Sequence, residues 1–99
     1  MGAAVSNQPC PIFLINLDRD PDRLAFMAKA LEKLGLGFTR VPAVLGLAMP
    51  EWVKPYFLDG DGAIASKLRV GEVGCYASHL VVARRMVDEG IPAALVFED

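Results

Sequence analysis

The sequence contains few of the features that mark several large classes of protein. Only two cysteines occur among its 99 residues, and Cys10 and Cys75 form neither a CxxC pair nor a disulfide framework. No apolar run approaches the roughly 20 residues that cross a bilayer. These absences argue against a disulfide-rich scaffold and a transmembrane helix, and the cysteine usage suits a reducing cytoplasm.

Signatures of phosphate-binding loops and of polyanion binding are also missing. Ten basic side chains stand against twelve acidic ones, and the net charge of −2 provides no broad positive field, so we expect no nucleic-acid partner. Neither GxGxxG nor GxxxxGK[ST] occurs, which argues against a dinucleotide enzyme and a P-loop NTPase. The N-terminal residues lack the basic and apolar regions of a secretory signal. We predict a cytoplasmic protein.

The composition is that of one small globular domain, with 54% hydrophobic residues. We divide the chain into a disordered leader, residues 1–10, and an α/β domain, residues 11–99. The first half of the domain predicts a βαβ unit. An apolar run at residues 12–17 is typical of a buried parallel strand. A helix is predicted to start at Asp20 and Pro21 and to end at Gly35. A second strand is predicted at residues 38–41, and Pro42 ends it.

The second half predicts another helix and strand. Residues 45–70 are rich in turn formers, with a short helix or turn at 52–58 and a mobile loop at 59–62. A long helix is predicted from residue 71 or 72 to residue 88, ended by Gly90, and a buried strand at 93–97. The buried stripe of the long helix is predicted to comprise Val73, Tyr76, Ala77, Leu80, Val81 and Val87, with Arg84 as its one charged member. The predicted fold is α/β and Rossmann-like, with a mostly parallel sheet flanked by helices.

Candidate donor-binding residues follow the predicted strands, because α/β sheets bind their ligands at the carboxyl ends of their strands. Asn16, Asp18 and Arg23 follow the first strand, beside a helix N-terminus whose free N–H groups favour an anion such as a diphosphate. Ala43 follows the second strand. The alternative is that these residues are ordinary helix-start chemistry, with Arg23 merely solvated.

Two carboxylates, Glu98 and Asp99, follow the third predicted strand. Mg²⁺ and Mn²⁺ bind through one or two carboxylates together with the oxygens of a substrate diphosphate. The pair is therefore a candidate metal site. The alternative is that a buried strand simply ends in polar residues.

The long predicted helix places Glu72, Cys75 and His79 on one face, with Ser78 beside them. Such a trio suggests zinc or a cysteine nucleophile. However, the paired close ligands of zinc sites, such as HExxH or CxxC, are absent. A small core cysteine and a hydrogen-bonding histidine are the more ordinary interpretation.

Four segments in order resemble glycosyltransferase family 25, and together they cover nearly the whole chain. The opening PIFLINLDRDPDR at residues 11–23 is similar to the start of the family, and FTRVPAVLG at 38–46 to the element that follows. GEVGCYASHL at 71–80 resembles the signature GE-I/V-GC-x-x-SH, which is the most specific match. LVFED at 95–99 is similar to the start of an L-V/I-x-EDD metal motif. Leu24 and Asp20 depart from the usual residues at their positions.

The resemblance implies an A-type glycosyltransferase half-fold, with residues 11–99 as a nucleotide-sugar-binding domain truncated at its C-terminus. The implied donor is UDP-galactose or UDP-glucose, and the implied acceptor is a lipid-linked oligosaccharide or a hydroxylysine. The resemblance implies that the nucleotide is faced by Asn16, Asp18 and Arg23. It also implies that the donor pocket is supported by Glu72, Ser78 and His79. Glu98 and Asp99 would face Mn²⁺ or Mg²⁺, and the acceptor base would lie beyond Asp99.

Two other hypotheses remain open from the sequence. The chain could be an inactive remnant or a regulatory module that self-associates through its final strand, whose edge nothing in the sequence covers. A flavodoxin-like domain that binds another phosphate ligand is the third reading. A lipid-linked acceptor would place a cytoplasmic enzyme at the inner face of the membrane.

Overall fold

A computed structural model describes residues 8–99, so the first seven residues of the predicted leader lie outside the described part. The backbone forms three strands, two long helices and one 3₁₀ turn. In chain order these are β1 (Ile12–Asn16), α1 (Pro21–Lys33), β2 (Thr39–Pro42), the 3₁₀ turn (Lys54–Tyr56), α2 (Val70–Glu89) and β3 (Leu95–Glu98).

The three strands form one parallel sheet in the order β2-β1-β3. Phe13 of β1 pairs with Thr39 of β2 and with Val96 of β3. Every residue of the central strand β1 is buried, including the polar Asn16 at its end, as an apolar run of this kind predicts for a parallel strand covered on both faces. The predicted α/β, Rossmann-like half-fold is therefore confirmed.

Both helices end as the sequence predicts, at a glycine in the left-handed conformation. Gly35 follows α1 with φ +72°, and Gly90 follows α2 with φ +68°. After α1, the N–H of Gly35 donates to Glu32 O and that of Leu36 to Leu31 O, the two bonds of a Schellman motif. At the other end of α1, Asp20 precedes the helix, but its side chain makes no capping hydrogen bond.

The predicted buried stripe of α2 is partly wrong. Val73 and Ala77 are fully buried, but Tyr76 and Val87 are 52% and 78% exposed. Gly74, Ser78 and Val82 are buried in addition. The helix turns a face of small residues toward the loop after β2, because a small side chain allows a close approach, whereas the large Tyr76 is left outside. Arg84 is exposed as well and lies over the ring of Trp52, 4.8 Å from its centroid.

Helix α2 connects two parts of the hydrophobic core. Val82 packs with the sheet residues Phe13, Ile15 and Val41. Nearer the start of α2, Val73 and Ala77 pack with two apolar residues of the segment between β2 and α2, Met49 and Val53. In the described part of the chain, neither helix is both long and apolar enough to cross a membrane.

Replacement of Gly74 by alanine should destabilise the fold. A Cβ at Gly74 would lie 2.8 Å from Val44 O and 3.1 Å from Gly46 N, which are backbone atoms that cannot rotate away. We expect a loss of about 1–3 kcal/mol in the free energy of unfolding, measured in urea.

Gly71→Ala is the matched control for this substitution, because a Cβ at Gly71 meets nothing within 4 Å. Alanine should leave stability unchanged there or raise it by up to about 1 kcal/mol. Equal effects of the two substitutions would contradict the close packing of α2 on the loop.

Candidate functional site

A cavity of about 200 Å³ lies at the carboxyl ends of the strands. Its walls come from the ends of β1 and β3, from the segments after β1 and β2, and from the first three turns of α2. The residues that line it are Ile15, Leu17, Arg19, Ala43, Val44, Leu45, Gly46, Gly71, Cys75, Ser78, Glu98 and Asp99. The cavity therefore occupies the position where open α/β sheets bind ligands.

The loop after β2 is held against α2 by one buried hydroxyl. Ser78 Oγ accepts a hydrogen bond of 2.8 Å from the N–H of Val44 and donates one of 2.7 Å to Gly74 O. Ser78 is only 1% exposed. Gly74 and Ser78 lie one helical turn apart, so the same helix face provides both the close approach and the hydrogen bond. Ser78 thus shapes the wall of the cavity by positioning the loop.

Asn16 and Arg40 organise the polar end of β1. Arg40 Nε donates to Asn16 Oδ1 at 2.9 Å, and its Nη2 donates to Asn16 O at 2.9 Å and to Asp18 Oδ1 at 2.6 Å. Arg40 was not among the site residues that we predicted. A basic side chain inside a short strand, next to the polar end of a buried strand, is the signal that could have found it.

Asp99, directly after β3, joins the same polar network. Asn16 Nδ2 donates to a carboxylate oxygen of Asp99 and to Asp20 O. Arg23 Nη2 donates to Asp99 O at 2.6 Å and lies 3.7 Å from its Oδ1. The structure therefore brings together Asn16, Asp18, Arg23 and Asp99, which the sequence placed after two different strands.

Glu98 turns toward α2 instead. One of its oxygens lies 2.6 Å from His79 Nε2, and Cys75 Sγ lies 3.5 Å from both oxygens. The hydrogen bond with His79 is the main reason that the pKa of Glu98 is lowered, although partial burial opposes it. Burial first, and then the bond to Glu98, raise the pKa of the Cys75 thiol.

Of the other predicted site residues, Ala43 lines the cavity, whereas Glu72 and His79 do not. Ala43 lines the cavity, and its N–H donates to Asn16 O at 3.0 Å. Glu72 does not line it, because its carboxylate accepts a hydrogen bond of 2.8 Å from the N–H of Arg69 at the start of α2. His79 reaches the cavity only through Glu98. The donor-binding roles of these three residues stay predictions.

The residues at the cavity edge match the donor types of a hard cation. Glu98 and Asp99 have different hydrogen-bonding partners, but both residues line the same cavity. Mg²⁺ and Mn²⁺ bind through carboxylate oxygens combined with the oxygens of a diphosphate. The donor set fits such an ion, and its binding here stays a prediction.

The parallel sheet, flanked by two helices and with a cavity at its strand ends, defines the chain as a Rossmann-like α/β protein. The model of glycosyltransferase family 25 (LPS biosynthesis protein) matches residues 10–99. The chain belongs to glycosyltransferase family 25.

Relatives in animals support this membership. A glycosyltransferase 25 family member of Drosophila pseudoobscura pseudoobscura is 34% identical over 89% of this chain and 15% of its own length. The mouse protein named inactive glycosyltransferase 25 family member 3 is 32% identical, and zebrafish procollagen galactosyltransferase 1 is 30% identical, each over 89% of this chain and 16% of its own length. The chain thus spans about one sixth of these relatives. No solved structure gives a significant match.

Removal of the Asn16 side chain should destabilise the protein. Asn16 is 2% exposed, and its amide connects Arg40, Asp20 O and Asp99. In Asn16→Ala these groups lose a partner in a buried setting, so we expect a loss of about 1–3 kcal/mol in the free energy of unfolding. Urea denaturation measures it.

Asp88→Asn serves as the control, because Asp88 makes an exposed ion pair of 3.2 Å with Arg84 on α2. Such pairs contribute less than about 1 kcal/mol. A loss in Asn16→Ala no larger than that in the control would show that the network does not stabilise the strand ends.

Proposed function

We propose that this chain is the donor-binding region of a glycosyltransferase that transfers a hexose, galactose or glucose, from a UDP-sugar. The observation that carries the proposal is that three strand ends of a family 25 chain meet at one cavity, which Glu98 and Asp99 line. The name of the zebrafish relative, procollagen galactosyltransferase 1, supports galactose. The description of the family model supports a lipopolysaccharide-type acceptor.

The basic side chains near the strand ends would receive the donor diphosphate. Arg19 lines the cavity, and Arg23 is 61% exposed beside it. The first turn of α1 adds free backbone N–H groups and the positive end of the helix dipole. Arg23 and Arg40 both hold carboxylates now, so phosphate oxygens would share or replace these contacts.

Asp99 and Glu98 would hold Mn²⁺ or Mg²⁺ beside the diphosphate. When bound, the cation supplies charge neutralisation for the departing nucleoside diphosphate. Asn16 orients the Asp99 carboxylate through its amide, and Arg23 fixes the backbone at the same residue. These contacts leave Asp99 only 13% exposed, which limits the number of positions that its carboxylate can take.

The acceptor would be an oligosaccharide, lipid-linked or on a protein. Because the chain spans about one sixth of its relatives, we place the acceptor site and the catalytic base in a further part of the enzyme. A lipid-linked acceptor would locate the enzyme in the cytoplasm, at the inner face of the membrane.

Calorimetry with UDP-galactose and Mn²⁺ tests donor binding by the 99-residue chain. We expect weak binding that requires the cation. In Asp99→Asn, which keeps the shape and an acceptor oxygen but loses the charge, binding should weaken by about tenfold or more. Glu89→Gln, in an exposed pair with Arg85 at the far end of α2, is the control and should bind as the unaltered chain does.

Two results would contradict the proposed function. One is the absence of binding at millimolar donor by protein that circular dichroism shows to be folded. The other is equal affinity in Asp99→Asn and in the unaltered chain.

A self-associating module without catalysis is the second candidate. It is favoured by the relatives named inactive and by the edge of β3, which pairs only with β1 within residues 8–99. Leu95 on that strand is 49% exposed. An edge of this kind can pair with a second copy.

Light scattering tests this second candidate. Self-association through β3 predicts a dimer, and Leu95→Lys should shift it toward monomer because a charged side chain opposes edge pairing. A monomer at high protein concentration, or a dimer that is insensitive to Leu95→Lys, would rule out association through this edge.

A further inference from the structure

Cys75, His79 and Glu98 form a compact cluster of three different ligand types. Their ligand atoms, a thiol sulfur, an imidazole nitrogen and a carboxylate oxygen, all lie within 4.8 Å of one another. Cys75 and His79 are one turn apart on α2, whereas Glu98 comes from the end of β3. The face of α2 and the end of the sheet together create this cluster, which the donor site as proposed uses only through Glu98.

The sulfur–oxygen spacing in the cluster and the helical spacing of Cys75 and His79 suit a small tetrahedral cation. Two ligands at i and i+4 on a helix can chelate one ion, as the two histidines of HExxH do. With Zn–ligand bonds of about 2.0–2.3 Å, neighbouring ligands of a tetrahedral site lie roughly 3.3–3.8 Å apart. The sulfur–oxygen distances of 3.5 Å already fall in this range.

The His79–Glu98 contact is shorter, at 2.6 Å, and would lengthen by roughly 1 Å when an ion enters. Both side chains are about half exposed, with 40% of His79 and 52% of Glu98 accessible, so this movement meets little packing. The hydrogens that now connect the thiol and the imidazole to the carboxylate would be replaced by one cation.

We propose that Cys75, His79 and Glu98 bind a thiophilic divalent cation such as Zn²⁺. A thiolate and an imidazole select zinc over Mg²⁺ or Mn²⁺, which prefer oxygen ligands. Sulfur binds as the thiolate, and its proton passes to solvent. Cys75 and Glu98 also line the cavity, so a water molecule from that space can complete the coordination.

The proposed zinc site is distinct from the candidate hard-cation site, although the two overlap. Asp99 takes no part in it, because its carboxylate contacts Asn16 and Arg23 instead. Glu98 is common to both. One consequence, which rests on the proposed function, is that Zn²⁺ withdraws Glu98 and weakens Mn²⁺-dependent donor binding.

Titration of the reduced 99-residue chain with Co²⁺, without nucleotide, tests the zinc site. Cobalt is the probe because zinc is spectroscopically silent. We expect a sulfur-to-cobalt charge-transfer band in the near ultraviolet, intense visible bands of four-coordinate Co²⁺, and loss of both on addition of one equivalent of Zn²⁺. Excess Mg²⁺ should leave them unchanged. Cys75→Ser should abolish the charge-transfer band, and His79→Gln should weaken cobalt binding by about tenfold or more.

Two variants serve as matched controls. Cys10→Ser removes the other free thiol, which precedes β1 at the opposite end of the sheet, and should keep the band. Asp99→Asn should also keep it, although it impairs the proposed donor site. This difference separates a failure of the zinc site from a failure of the proposed function.

Three results would overturn the zinc site. The first is no charge-transfer band in protein that circular dichroism shows to be folded. The second is a band that survives in Cys75→Ser and disappears in Cys10→Ser. The third is a band that Asp99→Asn abolishes, which would show that the ion depends on Asp99 and not on the three proposed ligands alone.

Discussion

The buried amide of Asn16 is the constraint on which the polar end of the sheet depends. Its Oδ1 accepts from Arg40 on β2, and its Nδ2 donates to Asp20 O before α1 and to Asp99 after β3. An amide has both donor and acceptor atoms, so one side chain can connect elements that an apolar residue of the same size could not. Within residues 8–99, no buried side-chain nitrogen or oxygen lacks a hydrogen-bond partner. The strand ends are therefore held in a defined arrangement around the cavity.

Helix α2 provides the second half of the site through two pairs of residues one turn apart. Gly74 and Ser78 hold the loop after β2, the first by having no side chain and the second through its hydroxyl. Cys75 and His79, each one position further along, contact Glu98 instead. Because adjacent helix positions differ by about 100°, a single short motif serves two neighbouring surfaces. This geometry gives a physical meaning to the GC-x-x-SH segment, in which each of the four residues has a contact of its own.

Much of the backbone was predictable because it depends on local signals. The apolar run of β1, the start of α1 at Pro21 and the glycines after both helices gave element positions that agree with the structure to within one or two residues. The buried face of α2 was less predictable. Tyr76 and Val87 are apolar enough for a core, but the close approach at Gly74 rotates the helix away from them. Periodicity identifies a helix, whereas the partner that it packs against decides which face is buried.

The sequence by itself determined the fold class and the family, because hydrophobic period, turn chemistry and motif order are properties of the linear chain. It also determined that Asn16, Asp18 and Asp99 follow strands, and parallel pairing then places strand ends at one edge. Only the tertiary structure decided that Arg40 binds Asp18 and that Glu72 accepts a hydrogen bond at the start of α2. It also decided that Glu98 contacts His79, whereas Asp99 contacts Asn16. Those outcomes depend on the register and spacing between elements distant in sequence. Side-chain contacts over such separations are set by packing, which no local pattern encodes.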